Sequence, residues 1–418
     1  MLTKAGKSLW RALVPRIARM AIHRTLQRSP EFQVRSKLGK PEPIQAGQLV
    51  VSGLINESKG VSQAARLTLA GMRHAGFEPL AHDLRHTLSS PADAASGLPF
   101  TRKGGAWILH ANPPEAVHAL RAINPAIWRG RRRIGYWSWE LPVAPASWAR
   151  LSPAFHEIWT PSRFVAESLR AAHVRTPIKV IPHPVALDPP KEARDRSSFQ
   201  LPEEALIVLS MGDLNSSADR KNLLGAIRIY REAFPSGEGK TLLVVKTQAD
   251  ATHPGFRDSA MDATAGRSDI CFVSGTLSQS EVRKLIASSD ILLSPHRAEG
   301  FGLSLAEAML MGVPALSTGW SGNLDFMGAI PELLIGYELA PSIDSYGVYT
   351  ARGQVWAMPR LDDAVLKLKA LAASADLRKR LAAAGRDAVL TLSEPWRPGG
   401  AIAADLESHV HPLVSGSR

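Results

Sequence analysis

The sequence predicts an α/β protein made of two doubly wound domains. Two observations predict this fold: short apolar strands alternate with helical segments in both halves of the chain, and a segment rich in proline and charge at residues 182–205 separates the halves. A chain of 418 residues with 45% hydrophobic content can bury two cores. The predicted boundaries are residues 1–47 for a basic arm, 48–185 and 186–395 for the domains, and 396–418 for a tail.

Each half begins with a short strand that runs into a loop and a helix. In the first half we predict a helix at residues 62–74 and strands at residues 48–53, 80–82, 107–109, 133–136 and 157–159. In the second half we predict helices at residues 223–234, 279–287 and 304–311, and strands at residues 206–210, 242–245, 291–293 and 315–318. This alternation favours parallel sheets.

Two carboxylates flank a glycine turn in the second half, where a strand runs into a helix. Glu299 precedes the turn, and Glu307 lies within the helix that follows. The amides of residues 300–303 can face phosphate oxygens, because glycine allows close approach and helix amino-termini carry partial positive charge. Glu307 can then accept two ribose hydroxyls, and Glu299 can accept hydroxyls of a transferred sugar. The alternative is a capping box in which Ser304 and Glu307 only close the first helical turn.

The segments around this turn follow an order that is more specific than the turn itself. Residues 294–298 precede it, residues 319–323 follow it, and residues 213–222 come after the first strand of the second half. Together they resemble the donor site of the retaining glycosyltransferases of the GT-B fold, family 4, and the resemblance covers roughly residues 48–400. It implies two Rossmann-like domains that face a central cleft, with a nucleotide-sugar donor bound in the second domain and an acceptor held by the first.

The resemblance also implies a reaction. It implies a hexosyltransferase that acts with retention at the anomeric carbon, needs no cofactor and takes a GDP- or UDP-linked sugar, with mannose as the first choice. The acceptor is expected to be lipid-linked, a polysaccharide or another glycan. Domain closure would bring donor and acceptor together, and positioning and stabilisation of the leaving group would supply the catalysis.

The resemblance assigns catalytic roles to Glu299, His110 and Lys221. Lys221 matches the lysine that contacts the donor diphosphate in the family, and its alternative is a solvated lysine at a helix start. Arg220 and Lys246 are candidate substitutes for a family arginine, because Asp213 stands where that arginine is usual. The donor-binding residues that we predict are Gly60, Arg220, Lys221, Lys246, Gly300, Phe301, Gly302, Leu303 and Glu307.

The first half supplies the candidates that face the donor sugar and the acceptor. Gly60 lies in a loop that resembles the glycine loop of the family, although an ordinary turn before a helix is the alternative. His110 follows a strand where relatives place a histidine near the donor sugar, and a structural histidine is its alternative. The acceptor-side candidates are Trp137, Trp139 and Glu140, with core packing as the favoured role of the two tryptophans.

Composition excludes several other classes of site. There is no Asp-x-Asp triplet, no His-Glu-x-x-His motif and one cysteine, Cys271, so we predict no metal site, metal-independent transfer and no internal disulfide. The basic run of Arg129, Arg131, Arg132 and Arg133 is expected to face solvent, with lipid phosphate as the alternative partner. A single thiol and the lack of a signal-peptide core predict a cytoplasmic protein.

The amino-terminal arm carries much of the excess positive charge. The formal net charge is +12, and residues 1–30 contain seven Lys and Arg residues with no Asp or Glu. Apolar residues at helical spacing make an anionic membrane surface a candidate partner, with a disordered arm or a helix packed on the protein as alternatives. Nucleic acid is not expected as a partner. Two other functions stay open: a nucleotide-sugar epimerase on the same fold, and a noncatalytic membrane- or nucleic-acid-binding protein.

Overall fold

A computed structural model describes residues 30–31, 33–40, 42–57, 60–89, 104–187, 189–237, 240–248, 253–345 and 347–411. The predicted membrane-binding segment, residues 1–30, lies outside these ranges except for its last residue. No helix among the described residues is long and apolar enough to cross a membrane.

The first domain is built on a parallel sheet in which the described residues form six strands in the order β2-β1-β3-β4-β5-β6. The strands are β1 (Leu49–Gly53), β2 (Leu80–Asp83), β3 (Ala106–His110), β4 (Arg132–Tyr136), β5 (Glu157–Thr160) and β6 (Ile178–Val180). The helices are α1 (Gly60–His74), α2 (Leu84–Ser89), α3 (Pro113–Ala122), α4 (Pro125–Trp128), α5 (Ala146–Leu151) and α6 (Arg163–Ala171). Alternate side chains of β3 enter opposite cores, Trp107 on one face and Ile108 on the other.

The second domain repeats this plan, with six described strands in the order β12-β11-β10-β7-β8-β9. The strands are β7 (Leu206–Asp213), β8 (Thr241–Gln248), β9 (Ile270–Val273), β10 (Ile291–Ser294), β11 (Ala315–Thr318) and β12 (Leu334–Ile335). The helices are α7 (Ala218–Lys221), α8 (Leu223–Ala233), α9 (Pro254–Thr264), α10 (Gln279–Ala287), α11 (Leu303–Leu310) and α12 (Leu324–Met327). Its strands pair in parallel.

The chain then adds a hairpin and returns to the first domain. Antiparallel strands β13 (Tyr337–Pro341) and β14 (Val355–Pro359) precede helices α13 (Leu361–Ala373), α14 (Ala375–Leu390) and α15 (Ala401–Leu406). Trp396 and α15 join the core on one face of the first sheet. Trp396 packs directly on Gly71 of α1, where an added Cβ would lie 2.2 Å from the indole, so a larger residue there would displace the returning segment.

These observations confirm the predicted α/β class and the two doubly wound halves. In each sheet the strand order reverses beside the first strand of the domain, between β1 and β3 and between β7 and β10. Ligands bind at such switch points in open α/β sheets, at the carboxyl ends of the strands. The predicted glycine turn and His110 both lie at these ends.

One prediction about the first domain is wrong. The arginines at residues 131–133 are buried, with exposed fractions of 0, 9 and 8%. Arg131 and Arg133 donate to backbone carbonyls, and Arg132 contacts Glu157 and Asp405. These arginines satisfy buried carbonyls and carboxylates instead of facing solvent, because α4 supplies the carbonyls of Ile127 and Trp128 and α15 supplies Asp405.

Candidate functional site

The switch point of the second sheet brings Lys221 and Glu299 together. Lys221 ends α7, which follows β7, and Glu299 lies in the loop that follows β10, the neighbouring strand. The two residues are 78 positions apart in the chain, yet the Lys221 Nζ atom lies 2.5 Å from Glu299 Oε1. The structure therefore joins two of the three predicted catalytic residues in one ion pair.

Arg220 completes this ion pair from a more enclosed position. Its guanidinium Nη1 lies 3.3 Å from Glu299 Oε2 and donates to the Ala298 carbonyl, while its Nε donates to the Ser216 carbonyl. The side chain is 3% exposed. Arg220 thus holds the loop of Glu299 instead of projecting into the cleft, so a role as a freely placed phosphate cation stays a prediction with little geometric support.

The charges around Glu299 decide its protonation state. Burial alone would raise its pKa, but the charges of Lys221 and Arg220 outweigh burial and lower the pKa of Glu299 to about 2. Glu299 is therefore a carboxylate at neutral pH. Its oxygens can accept hydrogen bonds from sugar hydroxyls if a ligand shares or displaces the two cations, and the sugar-binding role of Glu299 stays a prediction.

The glycine turn is shaped by its backbone and by the first domain. Gly302 caps α11 at φ 95°, a left-handed value that favours glycine, and no side chain caps the helix. The capping-box alternative for Ser304 and Glu307 is therefore wrong. Glu307 is 8% exposed, and its Oε1 lies 3.7 Å from Arg283 Nε of α10.

Gly300 lies where the two domains touch. Its carbonyl accepts a hydrogen bond of 2.6 Å from Ser162 Oγ, and an added Cβ would lie 2.4 Å from Ser138 Oγ. Both serines belong to the first domain, so only glycine fits at this contact without displacing one of them. Phe301 packs against Phe326 and His183 in the interior, while Leu303 is half-buried at the start of α11.

Lys246 ends close to the same sheet edge but in a different environment. It lies on β8, is 3% exposed, and its Nζ donates to the carbonyls of Thr247 and Gly275. Both acceptors are backbone groups at the ends of β8 and β9. The role of Lys246 as a contact to the nucleotide-sugar donor stays a prediction.

The switch point of the first sheet carries His110 opposite Gly53. The two residues are paired in register, and an added Cβ on Gly53 would lie 3.2 Å from the His110 Cβ. The His110 ring stacks on Tyr136 at 4.2 Å, and among the described residues its Nε2 has no hydrogen-bond partner although the side chain is 2% exposed. Gly60, the first residue of α1, is exposed on the loop after β1.

Two residues beside His110, Tyr136 and His183, were not predicted as site residues. Tyr136 also stacks on His183, and the ring of His183 meets Phe301 of the glycine turn edge-on at 4.9 Å. Burial lowers the pKa of His183 to about 3 and the pKa of His110 well below its ordinary value. This column of rings, which joins the two switch points, is therefore neutral at physiological pH.

The three acceptor-side candidates have different surroundings. Trp137 is fully buried and packs edge-on against Trp148 and Phe155, so it belongs to the core and does not line a cleft. Trp139 is half-buried and packs against Tyr349 of the second domain. Glu140 also faces the second domain, with its Oε1 3.8 Å from Arg220 Nη2.

His296 and Tyr349 also belong to the charged cluster and were not predicted. His296 is fully buried beside Glu299, and neither ring nitrogen has a hydrogen-bond partner among the described residues. Tyr349 lies over Arg220, with the guanidinium carbon 5.3 Å from the ring centroid. The position of His296 three residues before Glu299 was a usable signal. Tyr349 lies 50 residues after Glu299, in a segment without a motif.

Metal-binding residues are not grouped in the described part of the chain: no cluster of three or more His, Cys, Asp or Glu side chains there could hold an ion. The cluster at the second switch point instead contains two cations and two carboxylates. Such a cluster can bind a phosphorylated, hydroxyl-rich ligand through its cations and its carboxylate oxygens.

Comparison with known proteins identifies the family and the fold of the chain. The family described as Family 4 Glycosyltransferase in conflict systems matches residues 163–387, more than half of the chain. The 2-deoxystreptamine glucosyltransferase of Streptomyces kanamyceticus is 31% identical over 163 residues, which make up 38% of this chain and 41% of that protein. The match therefore spans less than half of this relative.

Solved structures of glycosyltransferases share the fold. A structure of the trehalose-6-phosphate synthase OtsA covers 88% of this chain and 100% of its own at 11% identity, with a TM-score of 0.59. The structure described as trehalose-6-phosphate from E. coli bound with UDP-2-fluoro glucose covers 88% and 100% at 13% identity, with a TM-score of 0.57. WaaG, a glycosyltransferase involved in lipopolysaccharide biosynthesis, covers 86% and 99% at 14% identity, with a TM-score of 0.53. At these identities the likeness shows the GT-B fold alone.

Proposed function

Because the chain belongs to the family 4 glycosyltransferases of conflict systems, we propose that it moves a hexose from a nucleotide sugar to a glycan or lipid-linked acceptor, with retention and without a metal. The observation that carries this proposal is the ion-paired cluster of Lys221, Arg220 and Glu299 beside a glycine turn at the switch point of the second sheet. A nucleoside diphosphate needs cations and oriented amides, and Lys221 together with the amino-terminus of α11 at this edge of the sheet supports its placement there.

The proposed reaction uses each group for one task. The bond from the anomeric carbon to the diphosphate oxygen breaks while the acceptor oxygen bonds to the same face of that carbon, and the acceptor proton passes to the leaving diphosphate. Lys221 stabilises the negative charge that develops on the leaving group. Glu299 holds hydroxyls of the transferred sugar, and Glu307 holds the ribose.

The first domain supplies the other wall of the cleft in this proposal. His110 has a buried Nε2 without a partner among the described residues, at the end of β3. A neutral imidazole nitrogen there suits a hydrogen bond to a sugar hydroxyl. Contacts such as the Ser162–Gly300 hydrogen bond already bring the two domains together around this position.

The identity of the transferred sugar is the most detailed part of the proposal. The motif around Glu299 favours mannose, whereas the Streptomyces relative is named as a glucosyltransferase, and one solved neighbour is bound with a UDP-linked fluoroglucose. We therefore propose a GDP- or UDP-linked hexose as the donor. Its acceptor is proposed to be lipid-linked, a polysaccharide or another glycan.

Thermal stabilisation by a panel of UDP-, GDP-, dTDP- and ADP-linked sugars tests the donor site. A ligand that binds the folded state raises the melting temperature, so one nucleotide should stabilise the intact protein. Glu307→Ala should lose that shift, and Glu232→Ala, which removes an exposed glutamate of α8, should keep it. Equal shifts in Glu307→Ala and the intact protein would refute the assignment of Glu307.

Transfer itself is tested by following the release of nucleoside diphosphate with and without acceptor glycans. Release that depends on the acceptor, with the α-anomeric configuration of the donor kept in the product, supports the proposal. Conversion of the donor sugar without any acceptor would instead indicate an epimerase.

We also propose that residues 1–30 attach the enzyme to anionic membrane surfaces, since seven basic and no acidic residues lie there. Deletion of these residues should reduce sedimentation with anionic liposomes and leave donor binding intact. Unchanged sedimentation would refute the membrane role.

A further inference from the structure

We propose that Tyr349 and Glu140 are positioning residues for Glu299, and that they act through Arg220. This inference rests on the proposed function, because it concerns how the carboxylate that holds the transferred sugar is oriented. It extends that function to a segment of the chain, residues 342–354 between β13 and β14, that carries no recognised motif. It also gives Glu140 a role different from acceptor binding.

The first step of the argument is that Arg220 fixes Glu299. The Arg220 Nη1 atom lies 3.3 Å from Glu299 Oε2, and the same atom donates a 2.8 Å hydrogen bond to the carbonyl of Ala298, the residue before Glu299. The backbone of the turn is also tied from the other side, because Arg297 N donates to the Arg220 carbonyl. Movement of the guanidinium would therefore move Glu299.

The second step is that Arg220 is itself held by two groups on its opposite side. Glu140 Oε1 lies 3.8 Å from Arg220 Nη2, and the Tyr349 ring lies under the guanidinium at 5.3 Å. Hydrogen bonding to Tyr349 lowers the pKa of Glu140 and opposes the effect of burial, so the two side chains are coupled electrostatically. Trp139 also packs against the Tyr349 ring, with centroids 5.5 Å apart.

The third step is that the position of Tyr349 is built into its segment. The Asp344 carboxylate accepts hydrogen bonds from the amides of Val348 and Tyr349 and from Ser217 Oγ, the last at 2.6 Å. Ser217 is the residue that caps α7, and its hydroxyl also accepts from the Arg220 amide. Asp344 therefore anchors Tyr349 and the helix of Arg220 to one carboxylate.

The charges explain why this arrangement matters for transfer. The cluster contains two carboxylates, Glu140 and Glu299, and two cations, Arg220 and Lys221. With Glu140 in place, one side of Arg220 is already neutralised, so the guanidinium stays beside Glu299 when a diphosphate arrives. Without Glu140, a bound diphosphate would compete with Glu299 for Arg220 and disturb the sugar-holding carboxylate.

Steady-state kinetics of Tyr349→Phe and Glu140→Gln test this inference. Tyr349→Phe keeps the ring and removes the hydroxyl, and Glu140→Gln keeps the shape and removes the charge. We expect kcat to fall about 10-fold in each, with the KM for the donor changed less than about threefold, because the lost interaction orients the sugar and does not bind the nucleotide. The dissociation constant of the nucleoside diphosphate should stay the same or decrease.

The pH dependence of kcat separates positioning from general damage. Burial and the charge of Glu299 raise the pKa of Glu140, and Tyr349 lowers it, while Arg220 and Lys221 also face the carboxyl group and lower its pKa. In Tyr349→Phe the acidic limb of the profile should therefore move to higher pH. In Glu140→Gln that limb should be absent.

Tyr230→Phe provides a matched control. Tyr230 donates to the carboxylate of Asp269 and, like Tyr349, lies beside an arginine, Arg267, whose guanidinium carbon is 5.5 Å from the ring centroid. This triad lies at the opposite edge of the same sheet, where β8 and β9 begin. The Tyr230→Phe variant should lose about as much stability as Tyr349→Phe and should keep the kcat and pH profile of the intact protein.

The outcomes distinguish the two proposals. A Tyr349→Phe variant with the kcat and pH profile of the Tyr230→Phe control overturns the positioning role while leaving the proposed function in place. An intact protein that binds no nucleotide and transfers no sugar overturns both. A loss of kcat that Glu140→Gln shares, with a moved or missing acidic limb, supports the inference.

Discussion

The two switch points of this molecule both bury ionisable side chains, but they stabilise them in opposite ways. At the first sheet, buried imidazoles stack on a tyrosine, and burial keeps both His110 and His183 neutral. At the second sheet, Lys221 and Arg220 pair with Glu299, and the charges of the two cations keep its pKa at about 2 despite burial. One edge thus removes charge, and the other balances it.

The difference supports the ligand groups that we propose for the two domains. A neutral ring column can offer single hydrogen bonds and apolar faces to sugar hydroxyls and carbons. A balanced ionic cluster can exchange one of its own ion pairs for a phosphate. The proposed placement of the donor diphosphate at the second sheet and the hexose and acceptor toward the first follows from this contrast.

Among the substitutions that test this contrast, Lys221→Ala should have the largest effect on kcat. Removal of a cation that stabilises the leaving diphosphate should lower kcat by about 10²- to 10³-fold. Nucleoside diphosphate release in a continuous assay measures it. Lys284→Ala serves as the control, because Lys284 pairs with Asp195 3.8 Å away at the surface of the same domain. A less than fivefold loss in Lys221→Ala would contradict the assigned role.

As pH falls, the neutral ring column of the first sheet should lose its contribution to stability before the charged cluster of the second sheet does. The folded pKa of His183 is about 3, below its ordinary value of 6.5, so this histidine stabilises the fold above pH 6.5 and loses that contribution as pH falls toward 3. Between pH 6.5 and 5 the loss is about 2 kcal/mol for this group. Glu299, with a pKa lowered from 4.5 to about 2, loses its contribution only below pH 4.5.

Denaturant unfolding at pH 6.5 and pH 5 measures this difference. His183→Asn should flatten the decline in the free energy of unfolding, whereas His74→Asn, at an exposed position of α1, should leave it unchanged. An identical slope in His183→Asn and the intact protein would argue against desolvation of this ring.

His110→Phe should have a smaller effect that is confined to transfer. The substitution keeps a ring to stack on Tyr136 and removes the Nε2 that lacks a partner among the described residues. We expect kcat to fall about 10-fold, the size of one lost hydrogen bond in a transition state, with nucleotide affinity unchanged. His118→Phe on the exposed face of α3 is the control. Weakened nucleotide affinity in His110→Phe would place this residue on the donor side.

Ser162→Ala should have the smallest effect, since it removes one hydrogen bond between the two edges. Ser162 Oγ donates to the Gly300 carbonyl and caps α6, so its loss should cost about 1 kcal/mol of stability and raise the KM for the donor a few-fold. Arg163→Ala, which breaks the exposed ion pair with Asp325, should change both quantities less. Melting temperatures and donor KM values would show the opposite ranking if the surface pair held the domains together.

Local patterns predicted the elements of this fold closely. The helix predicted at residues 279–287 is α10 with the same bounds, and the strand predicted at 315–318 is β11. Helix α11 begins one residue before its predicted start, and its cap is Gly302 because the turn needs a left-handed residue there. Strand β7 continues three residues past its prediction, to Asp213.

The buried arginines and Tyr349 were beyond the reach of local patterns. Arg132 looks like a surface residue in the sequence, but its partners Glu157 and Asp405 are 25 and 273 residues away. Tyr349 lies in a segment without a motif, and Glu140, whose pKa it lowers, lies in the other domain. Whether a charged side chain is buried or exposed depends on neighbours that are distant in the chain.

By itself, the sequence determined the fold class, the glycine turn and the pairing of candidate residues with the carboxyl ends of strands, because periodicity and glycine conformations are local properties. Tertiary structure alone decided that Glu299 is held between Lys221 and Arg220, that Arg220 is enclosed by Glu140 and Tyr349, and that His110 is neutral. Ionisation and hydrogen bonding depend on which groups burial brings within a few ångströms, and strand order sets those neighbours.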